Sequence, residues 1–348
     1  MISTNWGSAT DVGLVRQHNE DAFFAQFPVF VVADGMGGRA AGEVASGLTS
    51  TRFGELAATG PITTDEVNRA LVDANERVHD HSGTADHLDG MGTTAVGLVH
   101  VTDRHQELWL VFNVGDSRLY RLHQGTLEQV TTDHTEVQEM IDVGTISPEE
   151  ATVHPLRHVI TRAIGTDDSV EPDIWLLTPV PGERFLLCSD GLTGEVTDSD
   201  ITDVLATQVD PTMAAVRLVE KAIASGGHDN VTVVVVDVYS DDQEDLRDTA
   251  PGRSSNRADA LIAVPFDGDE ATEMADAPVI VDVPTSGGGP VLGGRPGSPE
   301  PVMIDMVPVA ISEGTDDPTA PVPVPERAVA VLPDGVIPLG FDEGPSDE

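Results

Sequence analysis

From Pro28 to Ala33 the chain is apolar without a break, and beyond a glycine-rich turn the residues from about Ala40 to Ala57 return to mixed composition. The first segment reads as a buried strand and the second as a helix. Another helix is predicted from Thr64 to His81, where Val67, Leu71, Ala74 and Val78 recur at helical spacing behind a Thr63/Thr64 cap. Four strands then follow closely: Thr93 to Val101, Leu108 to Val114, Arg118 to His123 and Leu127 to Val130, with Gln124 and Gly125 as a hairpin turn. Such short connections predict antiparallel pairing. Between Thr135 and Gly165 the pattern is helical but broken by Gly144, Pro148 and Pro155, which predicts an irregular excursion over the surface. Strands return at Ile174 to Thr178 and Arg184 to Ser189, and helices at Asp200 to Ala206 and Met213 to Ser225. The run VTVVVVDVY, Val231 to Tyr239, is nearly continuous and β-branched, as in a strand buried on both faces. With no internal repeat, the pattern gives an α+β domain with helices packed outside antiparallel sheets.

Periodicity stops near residue 240. The expected organisation is one folded domain over 1–240 and an acidic, Pro/Gly-rich, disordered tail over 241–348. Three apolar snatches in that tail, Leu261 to Phe266, Val302 to Ile311 and Ala328 to Phe341, are the alternative: docking motifs that order on a partner. The net charge of -42 argues against nucleic acid or an anionic membrane as partner. Cys188 is the single cysteine, so no intrachain disulfide forms, and its place in RFLLCSD reads as a small buried apolar residue. No stretch approaches the ~20 apolar residues of a membrane span, and MISTNWGSATDVG lacks a signal-peptide pattern. A soluble, cytoplasmic protein is expected.

Four aspartates, Asp34, Asp116, Asp190 and Asp229, each stand at one end of an apolar run. A carboxylate where a strand leaves a hydrophobic core is costly to desolvate unless positive charge compensates it. Four such sites in similar settings point to one cluster of negative charge, which hard divalent cations hold together most simply. The segment TDVGLVRQHNEDAFF adds Arg16, Glu20 and Asp21. Arginine offers a planar fork of donors that matches phosphate oxygens. Acids for metal and an arginine for phosphate make a phosphoester hydrolase.

The series RQHNED, VADGMGGRAAGE, GMGTTAV, NVGDSRLYR, CSDGLTGEV and GGHDNVTVVVV, in this order, resembles the metal-dependent Ser/Thr protein phosphatases of type 2C in their bacterial form, over about residues 5 to 239. Any one motif is weak; six in order are specific. The resemblance implies a four-layer α-β-β-α sandwich of two antiparallel sheets flanked by helices. It implies Mn²⁺ or Mg²⁺ as cofactor, two core ions with a third, weaker one in bacterial members. Asp34 matches the bridging ligand, with Glu20 and the Gly35 carbonyl on one ion, Asp190 and Asp229 on the other, and Asp116 on the third. Asp21 and Asn230 match positions that orient bound water, and Arg16 matches the phosphate-binding arginine. The implied reaction is hydrolysis of phosphoserine and phosphothreonine in proteins by a hydroxide bridging the two ions. The implied setting is opposition to a bacterial Ser/Thr kinase, and a monomer is expected.

One departure concerns the proton donor. Eukaryotic members carry a histidine where this chain has Met36, and methionine cannot donate a proton. His154 and His158, in the segment that corresponds to the flap of bacterial relatives, are candidates by location only. Pro155 between them argues against a metal pair on a regular helix. A binding-only pseudo-enzyme is disfavoured because no ligand position is substituted. A hydrolase of small phosphoesters remains a weaker alternative.

Overall fold

The valines of the last predicted strand organise the whole molecule. The computed structural model describes residues 2–37, 41–84, 88, 90–103, 106–240 and 337–338. Strand β11 (Val231–Ser240) is buried over its first eight residues. Val231, Val233 and Val235 face one core and Val234, Val236 and Val238 face another, so the strand has no solvent side. It pairs antiparallel with both β1 (Ile2–Asp11) and β10 (Arg184–Cys188). β7 (Arg118–His123) and β8 (Thr126–Gln129) complete a five-stranded sheet in the order β1-β11-β10-β7-β8.

The second sheet contains β2 (Asp21–Gln26), β3 (Val29–Met36), β5 (Ala95–Asp103), β6 (Gln106–Val114) and β9 (Asp173–Leu177). A short β4 (Gly92–Thr93) pairs with the end of β3, and a two-residue β12 (Ile337–Pro338) pairs with the β9 edge. The tail expected over 241–348 otherwise lies outside the described residues.

Three cores separate four layers. Helices α1 (Ala41–Ala57) and α2 (Thr64–Ser82) cover the outer face of the second sheet through Phe53, Leu71 and Val78. The two sheets meet over Phe30, Trp109, Phe185 and the inner valines of β11. Helices α6 (Asp198–Thr207) and α7 (Pro211–Ser225) cover the first sheet through Ile201, Leu205 and Leu218. The architecture is the α-β-β-α sandwich expected. Thr63 caps α2 with Glu66 in a reciprocal capping box, a contribution of about 1 kcal/mol. The excursion between the sheets carries α3 (Glu136–Asp142) and α4 (Pro148–Ala151).

Two elements differ from the reading of the pattern. β1 has no apolar run because it is an edge strand, held by ten paired positions with β11 rather than by burial. β3 continues through Asp34 and Gly35 to Met36, so Asp34 lies within a strand and not in the turn after it.

Candidate metal centre

The strand ends of both sheets converge: β3 finishes where β2 starts, β6 gives way to β7, β10 ends and β11 begins. Antiparallel register puts Asp21 directly opposite Asp34, an arrangement that like charges disfavour. The Asp34 backbone is pinned, its N–H donating to Thr94 Oγ1 at 3.0 Å and its carbonyl accepting from Thr94 N at 2.9 Å and Thr93 Oγ1 at 2.9 Å. Gly35 is required by contact, since a Cβ there would lie 2.1 Å from the carbonyl oxygen of Gly42 in α1 and 2.5 Å from that of Glu20. Its N–H donates to Glu20 O at 3.0 Å, and Ser46 Oγ donates to the same oxygen at 2.6 Å. Thus the loop bearing Glu20 is tied to strand and helix together.

Asn230 performs the same service from the other sheet. Its Oδ1 accepts from Glu20 N at 2.8 Å, and its Nδ2 donates to Val12 O at 2.9 Å and His18 O at 3.0 Å. Its side chain therefore holds the Val12–Glu20 loop. Gly191, next to Asp190, is a second contact glycine: a Cβ would meet Asn230 O at 1.9 Å. That closeness brings the short helix α5 (Asp190–Thr193) against the start of β11. Asp21 Oδ2 accepts from Ser189 Oγ at 2.7 Å, whereas its Oδ1 is buried with no protein partner.

The six carboxylates share one field. Burial raises Asp34 well above the ordinary carboxylate value, and Asp21, Asp190, Asp116 and Asp229 raise it further. Burial likewise pushes Asp21 to about 7 and Asp116 to about 8, with Asp190 adding to both. Glu20 and Asp190 move up for the same first reason, with Asp229 adding to each. The Asp34 carboxyl acts on Asp190 in the opposite sense and lowers it. Arg16 stands at the rim and donates through Nη2 to Asp229 Oδ2 at 2.6 Å, a bond that raises its own pKa. Both partners are partly exposed, at 49% and 35%, so the pair contributes little net stability.

The two flap histidines separate. His158 Nδ1 lies 3.9 Å from Asp190 Oδ2, while His154 Nδ1 accepts from Leu156 N at 3.2 Å and closes its own turn. Met36 packs: its Cε sits 2.8 Å from where a Cβ on Gly92 would be. Groups that sequence reasoning passed over are Thr94, Ser46 and Ser189, which fix the backbone and one carboxylate. The signal for the first was the polar pair Thr93-Thr94 inside an apolar strand.

The donor set suits a hard divalent cation. It consists of carboxylate oxygens, with one buried oxygen of Asp21 left over and a mutual repulsion that cations relieve. Among the described residues no three such side chains already surround one metal-sized point. Arg16 holds Asp229 and Ser189 holds Asp21. Holding a cation there would require these side chains to exchange partners.

Residues 15–224 match the family model described as Protein phosphatase 2C. The serine/threonine protein phosphatase PstP of Mycobacterium tuberculosis is 40% identical over 275 residues, covering 72% of this chain and 51% of that protein. The chain thus spans about half the length of that relative. The serine/threonine phosphatase stp of Listeria welshimeri is 35% identical over 239 residues, covering 66% of this chain and 93% of that protein. Among solved structures, the PstP catalytic domain in complex with two manganese ions superposes with a TM-score of 0.63 at 37% identity, covering 69% of this chain and all of that one. Fold, strand-end carboxylates and these similarities agree: the chain belongs to the protein phosphatase 2C family.

Proposed function

We propose that the protein is a metal-dependent phosphatase that hydrolyses phosphoserine and phosphothreonine in proteins. The observation that carries this is the convergence of six acidic side chains from both sheets on one half-buried floor, with the Arg16 guanidinium at its rim. Asp34 would be the carboxylate common to two Mn²⁺ or Mg²⁺ ions, Glu20 and the Gly35 carbonyl would hold one, Asp190 and Asp229 the other, and Asp116 a third. Bound there, the ions supply Lewis acidity toward phosphate and acidify water for attack on phosphorus.

The residues of the chain do the rest. Arg16 and Asp229 now neutralise each other at 2.6 Å. Turning Asp229 toward a cation would free the Arg16 fork for phosphate oxygens, so opening this one ion pair would supply both groups. Asn230, Ser46 and Thr94 keep the backbone under these side chains fixed while they exchange partners. The carboxyls must lose their protons to bind, so cation binding releases protons near neutral pH.

A specific feature favours polypeptide substrates over small phosphoesters. Of eleven exposed large apolar side chains among the described residues, six lie on the two segments that carry Arg16 and His158: Leu14 and Val15, and Val143, Val153, Leu156 and Val159. They offer apolar surface for the chain on either side of a phosphorylated residue. The reading extends to a monomeric, cytoplasmic enzyme that opposes a Ser/Thr kinase. Among the described residues no helix is long and apolar enough to cross a membrane.

The test is hydrolysis of a phosphothreonine peptide by the full chain with and without Mn²⁺. Turnover that depends on Mn²⁺ is the expected result; no turnover at any Mn²⁺ concentration overturns the reading.

A further inference from the structure

His134 is 5% exposed and stands where three parts of the molecule meet. Toward the centre it grips one residue twice. Its backbone N–H donates to Gly115 O at 2.9 Å and its ring Nδ1 accepts from Gly115 N–H at 3.2 Å. Asn113 Nδ2 donates to the same carbonyl at 3.0 Å. Gly115 has φ +102°, in the left-handed region, and Asp116 follows it directly. On the other side of Asp116, Ser117 Oγ is hydrogen-bonded to Thr94 Oγ1 at 2.7 Å. Asp116 is therefore held between two pinned neighbours.

Because Nδ1 accepts, the ring proton sits on Nε2, which faces Asp173 Oδ2 at 3.3 Å. Arg162 Nη1, also 3.3 Å from Nε2, is then a donor beside a donor, and directs its hydrogens to Asp173 Oδ1 at 3.0 Å and Glu171 O at 3.3 Å. Burial alone would raise the Asp173 carboxyl, but His134 and Arg162 outweigh it and hold it at about 2. It is a charged acceptor across the physiological range. The third direction is the flap. His134 O accepts from Thr161 N at 2.8 Å, Thr135 bridges Ile160, and Glu136 N donates to Val159 O at 2.9 Å. The two ends of the excursion are closed on each other at this residue.

We propose that His134 is a positioning residue that, with its ring anchored on Asp173, fixes the Asp116 carboxylate through the Gly115 peptide and ties it to the flap through Thr161. Cation binding at Asp116 and the placement of the flap are then one mechanical unit. The inference rests on Asp116 as a cation ligand, and its logic is that of outer partners that orient a ligand and set metal affinity.

The experiment compares His134→Ala, His134→Asn, His134→Gln and Asp116→Ala in the full chain. It reads half-saturating Mn²⁺ for phosphopeptide hydrolysis, Mn²⁺ binding by calorimetry, and hydrogen exchange of the Gly115 amide without metal. In His134→Ala the half-saturating Mn²⁺ rises about tenfold or more, approaching Asp116→Ala, and Gly115 loses protection. Asparagine places an oxygen where Nδ1 stands and restores both. Glutamine reaches Asp173 without accepting from Gly115 and restores neither. This split separates positioning from simple packing, and His134→Asn carries the test should the alanine variant not fold. A changed Mn²⁺ response in Asp116→Ala with none in His134→Ala or His134→Gln overturns the inference alone. No change in Asp116→Ala overturns the assignment of Asp116, and the inference with it. Equal behaviour of asparagine and glutamine also overturns it.

Discussion

Strands β10 and β11 carry charge at both ends, and the two ends are built on opposite rules. Away from the metal centre, Arg184 and Asp237 are 9% and 5% exposed. Arg184 Nε and Nη2 donate to the two oxygens of Asp237 at 2.5 and 2.8 Å. Its remaining donors reach the carbonyls of Leu205, Gln208 and Val209 at 2.7, 2.5 and 2.9 Å, at the end of α6. All five guanidinium hydrogens are used, and Tyr239 adds its hydroxyl to Asp237 at 2.7 Å. At the other end, Asp190 and Asp229 meet their strands with one partly exposed arginine between them, and burial and repulsion raise most of the neighbouring carboxyls. Buried charge that is fully satisfied locks the sheet to a helix. Buried charge left under-satisfied is a standing affinity for something cationic.

The contrast is broken most directly by mutation at each end. Asp190→Ala lowers Mn²⁺-dependent phosphopeptide turnover by about two to three orders of magnitude, yet raises the melting temperature of the metal-free protein, because it removes a repelled charge. Turnover equal to wild type would remove Asp190 from the centre. At the far end Arg184→Ala leaves Asp237 buried and alone and costs about 3–5 kcal/mol in denaturant unfolding. The protein that remains folded should still turn over substrate; an unchanged midpoint would show that the pair is not structural.

Acidity offers a gentler probe. Folded Asp21 and Asp116 titrate at about 7 and about 8, far above their ordinary value of 3.8. The folded chain thus holds protons that the unfolded chain has released, and the stability these groups contribute is greatest in acid and is lost as pH rises through 7 to 8. Cations reverse the sign. The Mn²⁺-induced rise in melting temperature is larger at pH 8.5 than at pH 6, and Mn²⁺ binding by calorimetry weakens by about tenfold or more over that interval. A pH-independent Mn²⁺ affinity would contradict the shared field.

Arg16→Ala acts more narrowly. It raises KM several-fold with a smaller change in kcat, since the fork binds phosphate in ground and transition states alike. A large kcat loss at constant KM would place Arg16 in the transition state only. The smallest effect is expected from truncation after Ser240, with peptide turnover retained; collapse of folding would give the tail a part in the domain.

Sequence legibility followed the range of the forces involved. Local signals were accurate: Thr63 caps α2, and Gln124-Gly125 turns with φ of 50° and 83°. The valines of β11 announced a strand without a solvent face. β1 escaped notice because its stability comes from pairing Ile2 with Ser240, not from its own composition. At the centre, the four aspartates were legible because each stands at one end of an apolar run. The Arg16–Asp229 pair and the His134 node were not: the first spans 213 positions, and a histidine in TDHT reads the same in many surroundings.

The pairing of β1 with β11 also sets an order of events during synthesis. The first strand of the domain has no partner until Val231–Ser240 has been made. Asp190 and Asp229 emerge before that strand, yet until it is made no β11 holds the segment bearing Arg16, Glu20 and Asp21 against them. The centre therefore closes late, when the strand that completes the sheet, starting two residues after Asp229, is laid against β1.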